Sequence, residues 1–550
     1  MAATSASPAL GERLTNRQKV LIYVSLMITM FVSALDQSIV ATATPRILAD
    51  LGGFALLSWV FTVYLLASTV VVPLVGKLSD MFGRKPFIIG GITIFVGASV
   101  GCGLAPSMPA LIAARAIQGV GGGLLFGSVF ATLGDIFTPI QRARYMGYFI
   151  SAFTLASLSG PTIGGFLTDG PGWRWCFYIN LPVGIVAATL IWVNLPMSRQ
   201  GGRLRDIDFQ GALLLGAATT CALLALVWAN ETYGWGGAPT LGLFAAAIVL
   251  AAAFVRQEAR HPQAILPLGL FRNRVFVQAN MFSMLQGGGM MGAVQYLPTF
   301  IQTSLGASAT ASGIVSTPQS LGLLGSSIIA GQIVSRTGRW KTGVVLGACF
   351  SVVAAGLMMT LDVGVPRWHI AVFMALFGLG GGLIGPTISV VIQSAVPHQQ
   401  MGVATSGRQF FMQIGQVLGV AVMGVIFTTT YASSFDGELS DATRAALPGD
   451  AYDEFRDPTL ALDPARFAAV RTELQAQDGG QAVLDATVEA QREGVAGAIQ
   501  RLYLFATIAG VAVVLLALFI PEIPLRRNFG PPAGQPAEER APDLQPVEAH

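Results

Sequence analysis

One carboxylate in this chain stands where carboxylates are costly. Asp36 lies in FVSALDQSIVATATP (31–45), the continuation of an apolar run that begins near Val20 and is long enough to cross a bilayer. An unpaired charge at membrane depth costs ~2.5–3.5 kcal/mol even on the mild insertion scale. Two chemistries fit such an acid. It either snorkels toward headgroups or stays paired with a base, or it loads and releases a proton as the space around it opens to one side and then the other. Arg115 is a base at matching depth. At ~1.5 Å rise per residue, Asp36 lies ~24 Å up the first span and Arg115 ~9 Å down the fourth from its outer end, similar levels in a ~30 Å core. A salt bridge or water-linked pair is expected, with Arg115 favouring the carboxylate in one state and withdrawing in the other. A permanent ion pair is the structural alternative.

Other chemistries find no support in the residues. His261, His369, His398 and His550 are dispersed, and Cys102, Cys176, Cys221 and Cys349 form no CxxC, so neither a metal site nor a nucleophilic constellation is expected. Cys102 and Cys176 both fall near outer ends, where a disulfide is conceivable, although buried free thiols are favoured. No GxxxxGK[ST] occurs, which argues against an ATP-driven machine. A net charge of +3 offers no field for nucleic acid. The chain is therefore not expected to be an enzyme and needs no cofactor beyond a proton gradient.

The elements that must position these residues are membrane spans. The chain is 53% hydrophobic and only 11% charged, against roughly 25% charged in soluble proteins, and its mean hydropathy is +0.63. Fourteen apolar stretches are expected as spans: 20–43, 54–75, 86–105, 109–133, 146–168, 176–195, 209–229, 238–255, 275–300, 310–334, 342–361, 367–395, 405–430 and 499–520. Arg13, Arg17 and Lys19 precede the first run like a signal peptide's basic region, but that run is too long and lacks a cleavage site, so it reads as an uncleaved span.

Charge asymmetry orients the set. Alternate loops hold Lys77, Arg84 and Lys85; Arg142 and Arg144; Arg199, Arg203 and Arg205; Arg256, Arg260, Arg272 and Arg274; and Arg336, Arg339 and Lys341. The opposite loops hold little beyond Arg46, Arg174 and Arg367. By the positive-inside rule both termini are cytoplasmic and the protein belongs in the cytoplasmic membrane.

The expected organisation is a cytoplasmic tail (1–19), a six-helix bundle (20–195), two extra helices with linkers (196–274), a second six-helix bundle (275–520) and a disordered cytoplasmic tail (521–550). One long acidic connection, 431–498, faces outward. Within it DPARFAAVRTELQAQ has Asp463 as cap and Pro464 at the first helical position, and AVLDATVEAQREGVAGAIQ runs into the last span.

An internal repeat ties the two bundles together. GKLSDMFGRKP (76–86) returns as GQIVSRTGRWK (331–341), pairing Gly76, Gly83 and Arg84 with Gly331, Gly338 and Arg339 at an offset of 255. The same offset pairs Gly147, Gly160 and Gly164 with Gly402, Gly415 and Gly419. Gly119, Gly121, Gly122 and Gly123 meet Gly378, Gly380, Gly381 and Gly382 four residues later. Eight helices separate the copies, so the repeat is parallel, with its axis along the membrane normal. Apart from Arg84 and Arg339, the polar groups singled out in the first half do not repeat: Asp80, Arg115 and Gln118 face Ser335, Met374 and Phe377, and Asp36 has no acidic counterpart in the ninth span.

At these residues the sequence resembles the major facilitator superfamily, in particular its fourteen-span drug:proton antiporter branch of EmrB/QacA type. LDQSIVATATP, GKLSDMFGRKP, RAIQGVGGG, SGPTIGG, GWRWCFYINLPVG and QYLPTFIQTSLGASATASG follow that branch's motifs in order, with Ser38 and Thr44 as departures in the first. The match covers spans one to thirteen.

The resemblance implies an all-α polytopic membrane protein with the major facilitator fold, two six-helix bundles in parallel repeat plus two inserted helices, rocking about a midplane cavity. It implies that Gly76 lets the bundles touch. It further implies that Asp80 binds the positive N-terminal end of a helix in the other bundle, with Gly83, Arg84, Lys85 and Arg144 completing the cytoplasmic gate. Gly160, Pro161, Gly164 and Gly165 would bend the fifth helix, pack it tightly and seal the cavity against leak.

Substrate contacts are sought among polar and soft groups on apolar spans: Gln37, Gln118, Asn280, Gln286, Gln295, Tyr296, Gln319, Gln409 and Gln413, with Met281, Met284, Met290, Met291 and Phe410. The resemblance implies that branch members handling dications carry a second intramembrane carboxylate; the tenth span, 310–334, has no acid, so neutral or monocationic lipophilic substrates are expected. The expected function is proton-coupled efflux of small lipophilic molecules by a monomer in the lipid bilayer, with Asp36 as coupling acid. The alternative is export of a lipid or glycolipid, with loop 431–498 docking an envelope partner.

Overall fold

Apolar runs of this length become helices, because the bilayer core offers no water to the backbone and a helix satisfies every peptide group within one segment. The structure, a computed structural model, describes residues 10–525 apart from 54–55, 198–203, 232, 459, 461–463 and 478, and no strand occurs among the described residues. Arg199, Arg203, the Asp463 cap and the tail beyond 525 lie outside them.

The first half comprises α1 (Asn16–Leu51), α2 (Leu57–Phe82), α3 (Arg84–Gly103), α4 (Met108–Ile136), α5 (Pro139–Asp169) and α6 (Asn180–Asn194). Capping boxes open two of them: Thr15 with Gln18 before α1, and Thr138 with Gln141 before α5. Gly83, at φ 90°, turns the chain between α2 and α3 in a conformation only glycine adopts freely. Then follow α7 (Phe209–Glu231) and α8 (Ala238–Glu258). The second half comprises α9 (Arg274–Thr303), α10 (Ala309–Thr337), α11 (Lys341–Met358), α12 (Arg367–Ser394), α13 (Met401–Glu438) and α14 (Gly480–Phe519). Among the described residues, twelve helices are long and apolar enough to cross a membrane. The 30-residue α9 and 29-residue α10 fall outside that set, since Gln, Asn, Ser and Thr interrupt their apolar residues.

The expected outer connection 431–498 needs correction. α13 continues to Glu438 and α14 begins at Gly480, so both flanking helices extend into it and pack on each other. The remainder folds as a cap of short helices, Asp441–Ala446, Gly449–Phe455 and Pro464–Gln475. Tyr431 Oη donates to the Phe455 carbonyl at 2.6 Å. Arg466 pairs with Glu454 at 2.6 Å and Asp457 at 3.1 Å, so acids that looked like a solvated run are partly neutralised within the cap.

Packing repeats as the sequence does. Helix pairs α1–α5, α2–α4, α3–α4, α1–α6 and α3–α6 recur as α9–α13, α10–α12, α11–α12, α9–α14 and α11–α14. The halves meet along two seams, α2–α13 and α5–α10. On the first, a Cβ on Gly76 would strike Ser406 and the Gly402 carbonyl; on the second, a Cβ on Gly147 would strike the Ser327 carbonyl, and one on Gly331 the Ala143 carbonyl. Since Gly331 and Gly402 are the repeat images of Gly76 and Gly147, the two seams are one contact used twice. α7 leans on the α2–α13 seam through Leu226, beside Leu66 and Ala421.

The apolar core is not evenly shared. Toward the end that holds Leu14, Phe137, Phe276 and Val403, one cluster runs through both halves. Toward the other end it divides into separate clusters, one around Leu35, Ile39 and Phe177 and the other around Leu297, Phe300 and Phe435. The bundles are joined at one end and parted at the other.

Candidate functional site

Asp36 sits midway along α1 and points into the first bundle, between α1, α3, α4 and α6. Arg115 Nη1 donates to Asp36 Oδ2 at 2.7 Å. Gln118 Nε2 and Asn180 Nδ2 donate to Oδ1 at 2.9 and 2.7 Å. Asp36 is 0% exposed and Arg115 1%. Three donors therefore meet one carboxylate in a buried interior, where each hydrogen bond is electrostatically stronger than in water.

The surrounding elements fix each donor. Arg115 also donates from Nη1 to Gln118 Oε1 at 2.7 Å and from Nε to the Val60 carbonyl at 3.2 Å, and its guanidinium lies 4.5 Å over the Tyr64 ring. Ser99 Oγ of α3 accepts from Gln118 at 2.8 Å and from Asn180 at 3.2 Å. The glycines of RAIQGVGGG make this possible. A Cβ on Gly119 would strike Tyr64 backbone and one on Gly123 Ser68 backbone, so α4 lies close enough to α2 for Arg115 to reach Val60 and Tyr64. Gly160 and Gly164 of α5 press on Ser38, Ile39 and Thr42, the turn after Asp36. Gly165 faces open space and Pro161 is exposed, so those two do not take part in the expected tight packing.

Sequence reasoning missed Asn180, Ser99 and Tyr64. A polar side chain inside INLPVG, at the start of an apolar span, was the available signal for Asn180.

At the joined end, Asp80 accepts from the first free amides of α13: Gly402 N to Oδ1 and Val403 N to Oδ2, both 3.0 Å. A carboxylate on orphan N–H groups at a helix N-terminus is favoured by hydrogen bonding and by the helix dipole. Arg84 Nη2 meets Asp80 at 2.5 Å, its Nε meets Asp135 at 2.7 Å, and its Nη1 donates to Ser79 Oγ at 2.6 Å.

Two expected gate members stand elsewhere. Arg144 is exposed on α5 near Tyr145, Gln332 and Arg336 and does not reach Asp80. The buried arginine of that loop is Arg142, two residues earlier and so on the other side of the helix. It donates to Gln393 Oε1 at 2.9 Å and to the carbonyls of Gly134 and Phe137 at 2.5 and 3.1 Å. Gln393 in turn donates to the Phe130 carbonyl at 3.1 Å and Thr405 Oγ1 at 3.0 Å, binding α4, α12 and α13 together. Lys85 donates to the Trp192 carbonyl at 2.6 Å, closing the end of α6 instead of the seam.

The expected substrate residues do not converge on one cavity. Gln118 belongs to the Asp36 network. Asn280, Gln319, Gln409, Gln413 and Phe410 are buried in packing, Asn280 donating back to the Phe276 carbonyl at 2.8 Å. Tyr296 stacks on Phe427 at 5.0 Å and donates to the Val420 carbonyl at 3.3 Å. Met284 and Met290 are half-buried, while Gln37, Gln295, Met281 and Met291 are exposed. Gln286 and Met290 do line a narrow cleft with Ser351 and Phe377, between α9, α11, α12 and α14. Phe377 is the repeat image of Gln118, so this cleft is the second bundle's counterpart of the Asp36 site. Among the described residues no His, Cys, Asp or Glu group could hold a metal ion, and all four cysteines are free thiols.

Comparison with known proteins adds a family. Residues 26–420 match the Major Facilitator Superfamily. The chain is 39% identical over 411 residues, 74% of its length and 75% of the relative's, to the multidrug transporter protein MdtP of Bacillus subtilis. It is 30% identical over 499 residues, 91% and 94% of the two lengths, to multidrug resistance protein 3 of the same organism. In three dimensions it resembles the human organic anion transporter MFSD10 with a TM-score of 0.60 at 13% identity, over 91% of this chain and 99% of that one, a likeness of fold alone.

Proposed function

The chain belongs to the Major Facilitator Superfamily, and from that premise we propose that it exports small lipophilic molecules across the cytoplasmic membrane in exchange for protons. As a multi-pass membrane transporter it performs no covalent chemistry on its cargo. Its full-length similarity to multidrug relatives supports efflux. We read α9 and α10 as two further spans, giving fourteen and assigning the chain to the drug:proton antiporter branch. Six helices per bundle with α7 and α8 inserted between them support that count, and the Lys and Arg bias supports cytoplasmic termini.

The observation that carries the coupling is the Asp36 network. There an acid, a base and two amides meet in the buried interior of the first bundle, and the second bundle holds Met374 and Phe377 where the first has Arg115 and Gln118. A proton taken up by Asp36 removes the charge that Arg115 faces. Arg115, Gln118 and Asn180 then face a neutral carboxyl with weaker and fewer acceptor sites, and α1 is free to shift against α4 and α6. Because Gly160 and Gly164 of α5 press on the same turn of α1, a shift there reaches α5, and through Gly147 the α5–α10 seam. The cytoplasmic closure yields when Asp80 releases Gly402 and Val403. The joined basic end and the parted opposite end correspond to an outward-open state.

Reconstitution into liposomes with an imposed pH gradient tests the reading. A lipophilic dye is expected to move against its gradient only while the proton gradient persists, with stoichiometric proton counterflow. Dye movement indifferent to the pH gradient would remove coupling from the mechanism.

A further inference from the structure

Arg408, on α13, is a buried charge that neither the Asp36 network nor the gate uses. It is 6% exposed. Its Nη1 touches only the Met412 sulfur, at 3.8 Å, and its Nε has no hydrogen-bond partner. Among the described residues no carboxylate pairs with it. The sequence explains the lack: from 275 to 430 the sole acid is Asp362, exposed in the turn between α11 and α12 at the parted end. The buried acids of the first bundle are engaged, Asp36 with Arg115, Asp80 and Asp135 with Arg84.

Its position gives this charge a use. At 3.6 residues per turn, residues 401, 405, 408 and 412 form one stripe of α13. Met401 is what a Cβ on Gly134 of α4 would strike, and Thr405 accepts from Gln393, which bonds Arg142 and Phe130 of the first bundle. Arg408 is the next residue of that stripe, one turn beyond Thr405. Phe410 lies in the shared core and Ile414 packs against it, while Met423 and Phe427 belong to the second bundle's own cluster. The guanidinium therefore lies on the stripe of α13 that faces α4 of the first bundle, between the hydrogen-bonded closure and the second bundle's own core.

We propose that Arg408 recognises an anionic group on the transported molecule, and that the cargo includes lipophilic monoanions, an apolar body bearing a carboxylate or an acidic phenol. This rests on the efflux reading and narrows its substrate class. A buried guanidinium without a counter-ion is unfavourable until one arrives, so the loaded site is electrically neutral and the empty one is not. The planar fork of donors matches a carboxylate in two parallel hydrogen bonds. Met412, beside it, is a deformable apolar surface for the adjoining part of the cargo. The neutral or monocationic preference expected from the acid-free tenth span is thereby shifted toward acids, because the same absence of carboxylates leaves Arg408 unopposed.

The test uses two probes that differ in charge alone, 1-pyrenebutyrate and its neutral primary amide, on purified wild type, Arg408→Gln and Arg408→Lys. Transport is measured in proteoliposomes under a pH gradient, and probe-induced shifts in melting temperature are measured in detergent. Arg408→Gln is expected to lose about tenfold or more of carboxylate transport, the worth of one charge-assisted pair, with amide transport nearly unchanged and the carboxylate's melting shift gone. Arg408→Lys is expected to keep an intermediate response to the carboxylate. Equal losses on both probes, or no loss on either, would overturn the assignment. If wild type transports neither probe, the efflux reading fails separately, and the melting shifts still decide: stabilisation by the carboxylate that vanishes in Arg408→Gln upholds the site, while equal stabilisation of both proteins removes it. Should Arg408→Gln not purify as a folded protein, Arg408→Lys carries the same comparison, and an unaltered carboxylate response in it counts against the site.

Discussion

Arg115 and Arg408 are both arginines buried inside a helical bundle, and they are treated in opposite ways. Arg115 has a carboxylate at 2.7 Å, an amide oxygen, a backbone carbonyl and an aromatic face. Arg408 has a thioether. The same contrast extends to the seams. Glycine-to-backbone contacts join both, but only α2–α13 carries Asp80 and Arg84; its repeat image on α10 has Ser335 and Arg339. Duplication has kept the packing, which either half needs to bury itself, while among the described residues the fully buried ion pairs lie in the first half. A charge neutralised from within can serve the moving parts, whereas one left without a partner is available to a ligand.

The comparison breaks most completely if Arg115 loses its partner. Asp36→Asn leaves a buried cation uncompensated, a change of ~3–5 kcal/mol, and is expected to lower the melting temperature and abolish pH-driven efflux. Asp36→Asn combined with Arg115→Gln removes both charges and is expected to regain melting temperature without regaining coupling. Recovery of proton-coupled transport by the double variant would show the pair to be structural only.

The converse experiment gives Arg408 the internal partner it lacks. Met412 is one turn along the same stripe, so Met412→Glu places a carboxylate where the sulfur now sits. Transport of 1-pyrenebutyrate is expected to fall about tenfold, since an internal salt bridge must be displaced, while the melting temperature holds or rises. Undiminished carboxylate transport in a folded Met412→Glu protein would mean that the cargo does not compete for Arg408.

The seams give the smallest effect. Asp80→Asn weakens a charged cap on α13, worth ~0.3–2 kcal/mol, and is expected to destabilise closure of the joined end by up to about tenfold, read as faster labelling of a cysteine introduced at position 406. Ser335→Ala, its counterpart on the other seam, is expected to change labelling at position 151 by less than about twofold, because an exposed-edge hydroxyl contributes little. Equal sensitivity of the two seams would erase the asymmetry.

Much of this could be read from residue types and spacing. Helices follow from apolar runs of bilayer length, and the paired bundles from the 255-residue offset. The contact between Asp36 and Arg115 follows from matching depths on separate spans. What could not be read was which face of a helix each polar residue occupies. Arg142 and Arg144 are two residues apart and equally basic, yet one is buried across the gate and the other exposed; the rotation of α5 against α10 decides it. Gln118 looked like a cavity residue and is a donor to Asp36, because α4 lies close against α2. Gln393 gave no sign of its importance and Asn180 only that of an amide opening an apolar span, since an amide gains meaning only from the group it faces.

The sequence by itself determined that the chain lives in a membrane, that it is doubled, and that Asp36 and Asp80 have no acidic counterpart in the second copy, because hydrophobicity, periodicity and ionisable groups are properties of residues in order. Tertiary structure alone decided which charges are compensated. Compensation depends on two groups from distant segments coming within about 3 Å, and that distance is set by how glycines allow helices to approach and turn, which no single stretch of the chain contains.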